Sequence, residues 1–160
     1  SKPGVRDSYV FCYLLGNNPF HRRKAREFCD QRGLKLVAPY AQGDMSMFDV
    51  VLEKVGPREF IALVAHAAAC LTDSFHGTAF SINFEKDFYA FLRFNECDPL
   101  CQNSRLYSIL NELELRSRLV EDPAGEMSTE SHADYYLVKK KLDERRKNSF
   151  GFLEKALANV

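Results

Sequence analysis

The sequence predicts a doubly wound α/β domain whose mostly parallel, five-stranded Rossmann-like sheet is flanked by helices. Short runs of apolar, β-forming residues alternate along the chain with segments that have the apolar periodicity of helices. The runs are almost continuously apolar, which is typical of parallel strands buried on both faces. At 160 residues, of which 46% are hydrophobic, the chain can build one ordinary core.

The first βαβ unit is predicted near the beginning of the chain. Residues 8–15 form an apolar run that predicts a central strand, and residues 34–38 predict the next strand. Between them, Asn18 is a suitable N-cap for a helix, and Gly33 is a suitable residue to end it. The inward face of this helix is expected to carry the apolar residues Phe20, Ala25, Phe28 and Cys29. The solvent face is expected to carry the basic residues Arg22, Arg23, Lys24 and Arg26, together with His21.

The middle of the chain predicts three more strands. Residues 47–55 allow either a strand or a short helix, and we favour a strand around Val50 to Leu52. A helix is predicted over residues 57–66, and the apolar run 69–72 predicts a fourth strand buried in the sheet. The fifth strand is predicted at residues 87–92. The alternation of strands and helices is what favours a parallel sheet over an antiparallel one.

The remaining sequence is predominantly helical in its pattern. A helix is predicted over about residues 103–114, and a long amphipathic helix over residues 133–158, interrupted near residues 148–151. We therefore expect a Rossmann-like domain over residues 1–130. Residues 131–160 are expected to form a C-terminal amphipathic helix that packs on that domain.

The composition excludes several classes of function. Lys and Arg together number 22, as do Asp and Glu, so a zero net charge gives no support for nucleic-acid binding. No apolar run approaches the length of a membrane span, and an odd number of cysteines favours reduced thiols in a cytoplasm. Cys97 and Cys101 have a CxxxC spacing, but zinc would need two more ligands, so no metal site is predicted.

The stretch Thr72 to Thr78 predicts a functional site. A strand that ends in a polar turn and enters a helix places side chains at the edge of the sheet where α/β proteins bind ligands. His76 would supply an ionisable nitrogen near neutral pH, and Gly77 would let a ligand approach the backbone. The first-turn amides would favour an anion. Asp73 could either orient His76 or cap the helix.

Four segments resemble the polysaccharide pyruvyl transferase family in order and spacing. They are YLLGN at residues 13–17, GPREFI at 56–61, TDSFHGT at 72–78 and NSRLYSIL at 103–110. The resemblance spans roughly residues 8 to 120. It implies a B-type glycosyltransferase-like architecture with two Rossmann-like halves, of which this chain would be the C-terminal half, lacking its N-terminal domain.

The resemblance also implies an activity. Members of the family transfer pyruvate from phosphoenolpyruvate onto a sugar as a ketal, without a further cofactor. The acceptor would be a sugar or lipid-linked glycan in bacterial cell-surface or exopolysaccharide synthesis. Such an enzyme is expected in the cytoplasm, or at the inner face of the membrane where its substrate lies. On this interpretation the chain alone would be folded but inactive.

The resemblance also implies roles for individual residues of the site. His76 matches the catalytic histidine of the family and would act as general acid. Ser74 stands where many members have an arginine, so Arg93 and Arg105 are predicted to clamp the anionic donor instead. The hydroxyls of Ser74 and Thr78 could donate to phosphate, although helix capping explains Ser74 equally well.

Two other functions fit the same sequence. One is a nucleotide-sugar-dependent glycosyltransferase half-domain, although no acidic residue suited to a ribose is evident at a strand end. The other is a non-catalytic binding domain whose cleft lost activity together with the arginine that Ser74 replaces. Turnover of phosphoenolpyruvate distinguishes these hypotheses from pyruvyl transfer.

Overall fold

The computed structural model describes residues 8–39, 44–94, 103–121, 127 and 133–158. Within that part of the chain, six parallel strands form one sheet in the order β3-β2-β1-β4-β5-β6. The strands are β1 (Tyr9–Tyr13), β2 (Lys35–Pro39), β3 (Val50–Leu52), β4 (Ala69–Thr72), β5 (Asp87–Phe91) and β6 (Leu119–Val120). The predicted doubly wound α/β fold is confirmed.

Helices cover both faces of the sheet. They are α1 (Pro19–Arg32), α2 (Pro57–His66), α3 (Phe75–Asn83), α4 (Asn103–Glu112) and α5 (Tyr135–Leu157), with a short 3-10 turn at Arg116–Arg118. Asn18 caps α1 as predicted, since its side chain accepts a hydrogen bond from the N–H of Phe20. Gly33 ends that helix with a φ of 62°, a left-handed conformation that glycine adopts readily.

The winding direction of the sheet changes between β1 and β4. From β1 the chain moves outward through β2 to β3, and it then returns to place β4 on the other side of β1. The register pairs Phe11 with Cys70 and Tyr13 with Thr72, so β1 and β4 end side by side. In open α/β sheets the crevice at such a switch point is the usual place for a ligand.

The prediction of five strands was one strand short. The additional strand, β6, consists of Leu119 and Val120 and pairs with Ala90 and Phe91 of β5 at the edge of the sheet. Two apolar residues are too few to show a periodicity, so only pairing with β5 reveals the strand. The preference for a strand around Val50 to Leu52 is confirmed by the pairing of β3 with β2.

The orientation of α1 differs from the prediction at three positions. His21 and Arg22 are buried, with 4% and 5% of their surface exposed, whereas Phe20 is 48% exposed. The imidazole of His21 stacks on the ring of Phe91 with centroids 4.7 Å apart, because the first turn of α1 lies over the end of β5. Phe20 instead lies under the guanidinium of Arg23, 4.8 Å from its ring.

Alternate residues of the strands build two apolar layers. Tyr9 and Phe11 point to the layer that contains Leu63 of α2, while Val10 and Cys12 point to the opposite layer. Three buried thiols, those of Cys12, Cys29 and Cys70, are free. Burial raises the pKa of the Cys29 thiol to about 12 and that of Cys70 to about 11, so both stay protonated. Cys97 and Cys101 lie outside the described residues.

Helix α5 is continuous, so the predicted interruption near residues 148–151 is wrong. Gly151 lies within the helix, and a glycine costs only about 1 kcal/mol there relative to alanine. Val138 is buried against the core, whereas Phe152 and Leu157 are 71% and 72% exposed. None of the described helices combines the length and apolar character that a bilayer crossing requires.

Candidate active site

A pocket of about 190 Å³ lies at the carboxyl edge of the sheet, at the switch point between β1 and β4. The segments that follow three strands converge there with the first turn of α4. Its lining comprises Leu15 after β1, Asp73 to His76 after β4, Arg93 and Phe94 after β5, and Asn103, Arg105 and Leu106 of α4. Four predicted site residues, Ser74, His76, Arg93 and Arg105, are therefore brought together.

Helix α3 begins at this pocket through its cap. Ser74 is the N-cap, and its hydroxyl oxygen accepts a hydrogen bond from the N–H of Gly77 at 3.5 Å. The carbonyl of Ser74 accepts from the N–H of Thr78 at 3.0 Å and from its hydroxyl at 3.1 Å. The capping interpretation of Ser74 is confirmed, and Ser74 also lies against the pocket.

His76 is the second residue of α3 and is exposed at the mouth of the pocket. Its ring meets the ring of Phe75 edge to face, with centroids 6.0 Å apart. The predicted placement, in the first turn of a helix at the carboxyl edge of a parallel sheet, is confirmed. An imidazole there can reach a ligand in the pocket and exchange a proton with it.

Gly77 and Thr78 do not line the pocket. Both are buried, and a Cβ built on Gly77 would lie 2.3 Å from the Oγ1 of Thr72. That hydroxyl donates to the carbonyl of Tyr13 at 2.7 Å, so the close approach joins α3 to both central strands. The absence of a side chain at residue 77 thus serves helix–strand packing, where the sequence predicted access for a ligand.

Asp73 joins the two loops at the switch point. Its Oδ1 accepts from the N–H of Leu15 at 2.7 Å, and its Oδ2 accepts from the N–H of Gly16 at 2.8 Å. We call these two hydrogen bonds the Asp73 clasp. A Cβ on Gly16 would lie 2.9 Å from Oδ2, so a larger residue there would require the Asp73 carboxylate to shift. Since Ser74 caps α3, the capping alternative for Asp73 is wrong.

Two arginines line the pocket together with His76. Arg93 is half-buried, and its guanidinium lies 4.4 Å from the centroid of the Phe94 ring. The Nε of Arg93 is buried and has no hydrogen-bond partner among the described residues. Arg105 is exposed, with its guanidinium 5.5 Å from the centroid of the Phe75 ring.

The pocket residues that sequence reasoning missed connect these elements. Asn103 is buried, and its Nδ2 donates to the carbonyl of Phe94 at 2.8 Å, which fixes the segment next to Arg93. Leu15 lies in the β1–α1 loop and is half exposed. Asn103 is the first residue of the NSRLYSIL segment, and Phe94 follows the predicted site residue Arg93. Their positions next to predicted features of the sequence are the signal that could have identified them.

The electrostatics of the pocket favour an anion. Arg93 and Arg105 carry positive charge, and the Asp73 carboxylate is already engaged by two backbone N–H groups. His76 adds a group that can donate or accept a proton. Within the described part of the chain, no cluster of three or more His, Cys, Asp or Glu residues could hold a metal ion.

Comparison with solved structures finds similar chains of low sequence identity. One is Escherichia coli heptosyltransferase WaaC with ADP-2-deoxy-2-fluoro heptose (TM-score 0.45, 14% identity, 91% of this chain, 45% of that chain). Another is UDP-GlcNAc 2-epimerase from Methanocaldococcus jannaschii (TM-score 0.44, 13% identity, 87% of this chain, 39% of that chain). The chain thus spans less than half the length of either protein. Among curated proteins, none matches the chain.

Comparison with protein families gives a match that includes the candidate site. The model of the family described as polysaccharide pyruvyl transferase matches residues 1–93, more than half of the 160 residues. The matched region runs from β1 through β5 and contains His76 and Arg93. The chain therefore belongs to the polysaccharide pyruvyl transferase family.

Proposed function

We propose that this chain is one domain of an enzyme that transfers pyruvate from phosphoenolpyruvate onto a sugar as a ketal, with His76 as general acid. Membership of the family supports a polysaccharide-modifying transferase as the reaction class. The family resemblance implies two Rossmann-like halves, so a second, N-terminal domain is part of the proposal. That domain would form the opposite wall of the cleft.

The observation that carries the proposal is the state of Arg93. The Nε–H of Arg93 is buried without a hydrogen-bond partner among the described residues, and an anionic oxygen is the strongest acceptor for such a charged donor. Arg105 stands on α4, across the same pocket. A small donor with two anionic groups can therefore be held by two guanidinium groups in the pocket that His76 also lines.

Phosphoenolpyruvate has the required size and charge. It carries a phosphate and a carboxylate on a three-carbon skeleton. A pocket of about 190 Å³ is smaller than the ~300–1,000 Å³ of pockets for drug-sized ligands, which suits so small a donor. We expect the sugar acceptor to approach from the open side of the pocket, where His76 is exposed.

The reaction assigns a clear task to the histidine. A proton added to the methylene carbon of phosphoenolpyruvate makes C2 electrophilic, and two hydroxyl oxygens of the acceptor form bonds to C2 while the bond to phosphate breaks. Two hydroxyl protons are released; one balances the proton now in the methyl group, and the other leaves with phosphate. His76 would deliver the first proton, a role for which histidine is suited near neutral pH.

The remaining parts of the proposal follow from the family. The acceptor is a sugar or lipid-linked glycan of a bacterial cell-surface or exopolysaccharide precursor, and no further cofactor takes part. The transfer of pyruvate takes place in the cytoplasm, or at the inner face of the membrane where a lipid-linked acceptor lies. The choice of acceptor in the assay tests the first of these statements.

The test is phosphate release from phosphoenolpyruvate by the full-length protein with candidate sugar acceptors. We expect phosphate in proportion to ketal product, and none from the present chain alone, although it folds. Release of a nucleoside diphosphate from a nucleotide sugar would instead support the glycosyltransferase hypothesis. Binding of donor and acceptor without any turnover would support a non-catalytic binding domain.

A further inference from the structure

A second histidine lies at the same edge of the sheet, outside the pocket lining. His21 is the third residue of α1 and only 4% exposed. Its ring stacks on that of Phe91 at an interplanar angle of 20°. Phe91 is the last residue of β5 and precedes Arg93 by two residues, so His21 lies at the end of that strand. Nothing in the proposed reaction uses this imidazole, so its burial calls for an explanation.

The hydrogen bonds of Asn18 define the tautomer of His21. The Oδ1 of Asn18 accepts from the N–H of Phe20 at 3.0 Å, so the amide cannot rotate without losing the cap of α1. Its Nδ2 therefore faces the Nε2 of His21, 3.3 Å away. An amide nitrogen only donates, so Nε2 must accept and the proton of the neutral ring lies on Nδ1.

The surroundings of His21 oppose a second proton. A proton on Nε2 would place two donors face to face, and Nδ1 is buried with no hydrogen-bond partner among the described residues. Burial lowers the pKa of His21 from its ordinary value of 6.5, and the charge of Asp73 only partly offsets this.

Other ionisable groups around His21 do not replace it as the titrating group. Arg22 on α1 and Arg93 after β5 keep their charge over the relevant range. On β1, burial raises the pKa of the Cys12 thiol well above that range. Asp73, in the β4–α3 loop, is the acidic group whose charge acts on His21.

We propose that neutral His21 is a positioning residue for the pocket. Through Asn18 it holds the β1–α1 loop, residues 14–18, in the conformation in which the N–H groups of Leu15 and Gly16 reach the Asp73 clasp. Protonation of His21 breaks its contact with Asn18 and releases that loop. The inference deepens the proposed function, because it identifies the residue that holds the anion-binding pocket in shape. It rests on the proposed function only for the identity of the anion.

The first test is an NMR titration of the chain with pH. At neutral pH the His21 ring should show the tautomer protonated on Nδ1. As the pH falls, the amide signals of Leu15 and Gly16 should move with the midpoint of His21, below its ordinary value of 6.5. A ring protonated on Nε2, or amide signals that follow the Asp73 carboxyl instead, would overturn the proposal.

The second test compares variants with sulfate, a probe whose charge does not change near neutral pH. His21→Gln keeps an acceptor for Asn18 and should bind sulfate within about twofold of wild type. His21→Phe keeps the stacking but loses the acceptor, and should bind about three- to tenfold more weakly, as expected for one lost hydrogen bond. Equal binding by the two variants would contradict the proposal.

Asn18→Ser tests the same contact from its other side, in case His21→Phe does not fold. Serine keeps the cap of α1 but removes the amide N–H group that reaches His21, so it should weaken sulfate binding as His21→Phe does. Wild-type binding by this variant would overturn the proposal. None of these measurements uses phosphoenolpyruvate, so a failure of pyruvyl transfer would be recognised separately.

Discussion

Helices α1 and α3 both begin at the carboxyl edge of the sheet, and each carries a histidine in its first turn. Asn18 caps α1 and Ser74 caps α3, each with a side-chain oxygen that accepts a backbone N–H. His21 is nevertheless buried against Phe91, whereas His76 is exposed beside the pocket. Two similar local sequences thus give histidines in opposite environments.

The difference is one of position along the helix and of the neighbouring strand. His21 is the third residue of α1 and His76 is the second of α3, and one residue corresponds to a rotation of about 100° around a helix. The face that His21 occupies meets the end of β5. Exposure makes His76 available for proton transfer, and burial restricts His21 to a supporting role.

The largest expected effect is on catalysis by the exposed histidine. In the full-length enzyme, His76→Ala should lower turnover about 10²–10⁴-fold with little change in donor KM, because the proton is needed in the transition state. Steady-state phosphate release measures both constants. His66→Ala removes another exposed histidine, at the end of α2, and should leave turnover unchanged. Near-normal turnover by His76→Ala would make that residue structural.

Arg93 offers the next largest effect. Arg93→Met keeps an unbranched side chain against Phe94 but removes the buried Nε donor, so donor KM should rise about tenfold or more. Turnover at saturating donor should fall less, since a clamp acts on the ground state as well. Arg23→Met is the matched control, because Arg23 also covers a phenylalanine ring but lies on α1, outside the pocket lining. Equal changes in KM for the two variants would contradict the assignment.

The attachment of α3 should depend on Gly77. Gly77→Ala places a methyl group against Thr72, and overpacking of this kind costs about 1–3 kcal/mol of unfolding free energy. Gly151→Ala, inside α5 with nothing within 4 Å, should instead gain about 0.5–1 kcal/mol. Urea unfolding of both variants gives the comparison. If Gly77→Ala were as stable as wild type, the close approach to Thr72 would be wrong.

The smallest effect concerns the buried histidine and pH. Because the pKa of His21 is lowered in the folded state, the unfolded chain binds more protons, and stability should fall as the pH drops below about 6.5. His21→Gln cannot titrate, so its unfolding free energy should vary less over the same range. Parallel curves for wild type and variant would show that the folded state does not disfavour the charged imidazole.

The same comparison shows what the sequence could predict. The strand, the polar turn and the capped helix around Ser74 are local features, and they located His76 correctly. The burial of His21 depends on the end of β5, about 70 residues away along the chain, so a basic-looking helix surface gave the wrong environment. The contacts of Gly77 with Thr72 and of Asp73 with the β1–α1 loop were not predicted for the same reason, because they are tertiary.

The central claim is that the pocket around His76 binds phosphoenolpyruvate through Arg93 and Arg105. An NMR titration of this chain with phosphoenolpyruvate tests it directly, with the Nε–H signal of Arg93 as the principal reporter. The account predicts saturable shifts of that signal and of the Phe75 and His76 amides, and in Arg93→Met the same amide shifts only at donor concentrations about tenfold or more higher. Shifts confined to residues away from the carboxyl edge, or none at donor concentrations that saturate the full-length enzyme, would contradict it.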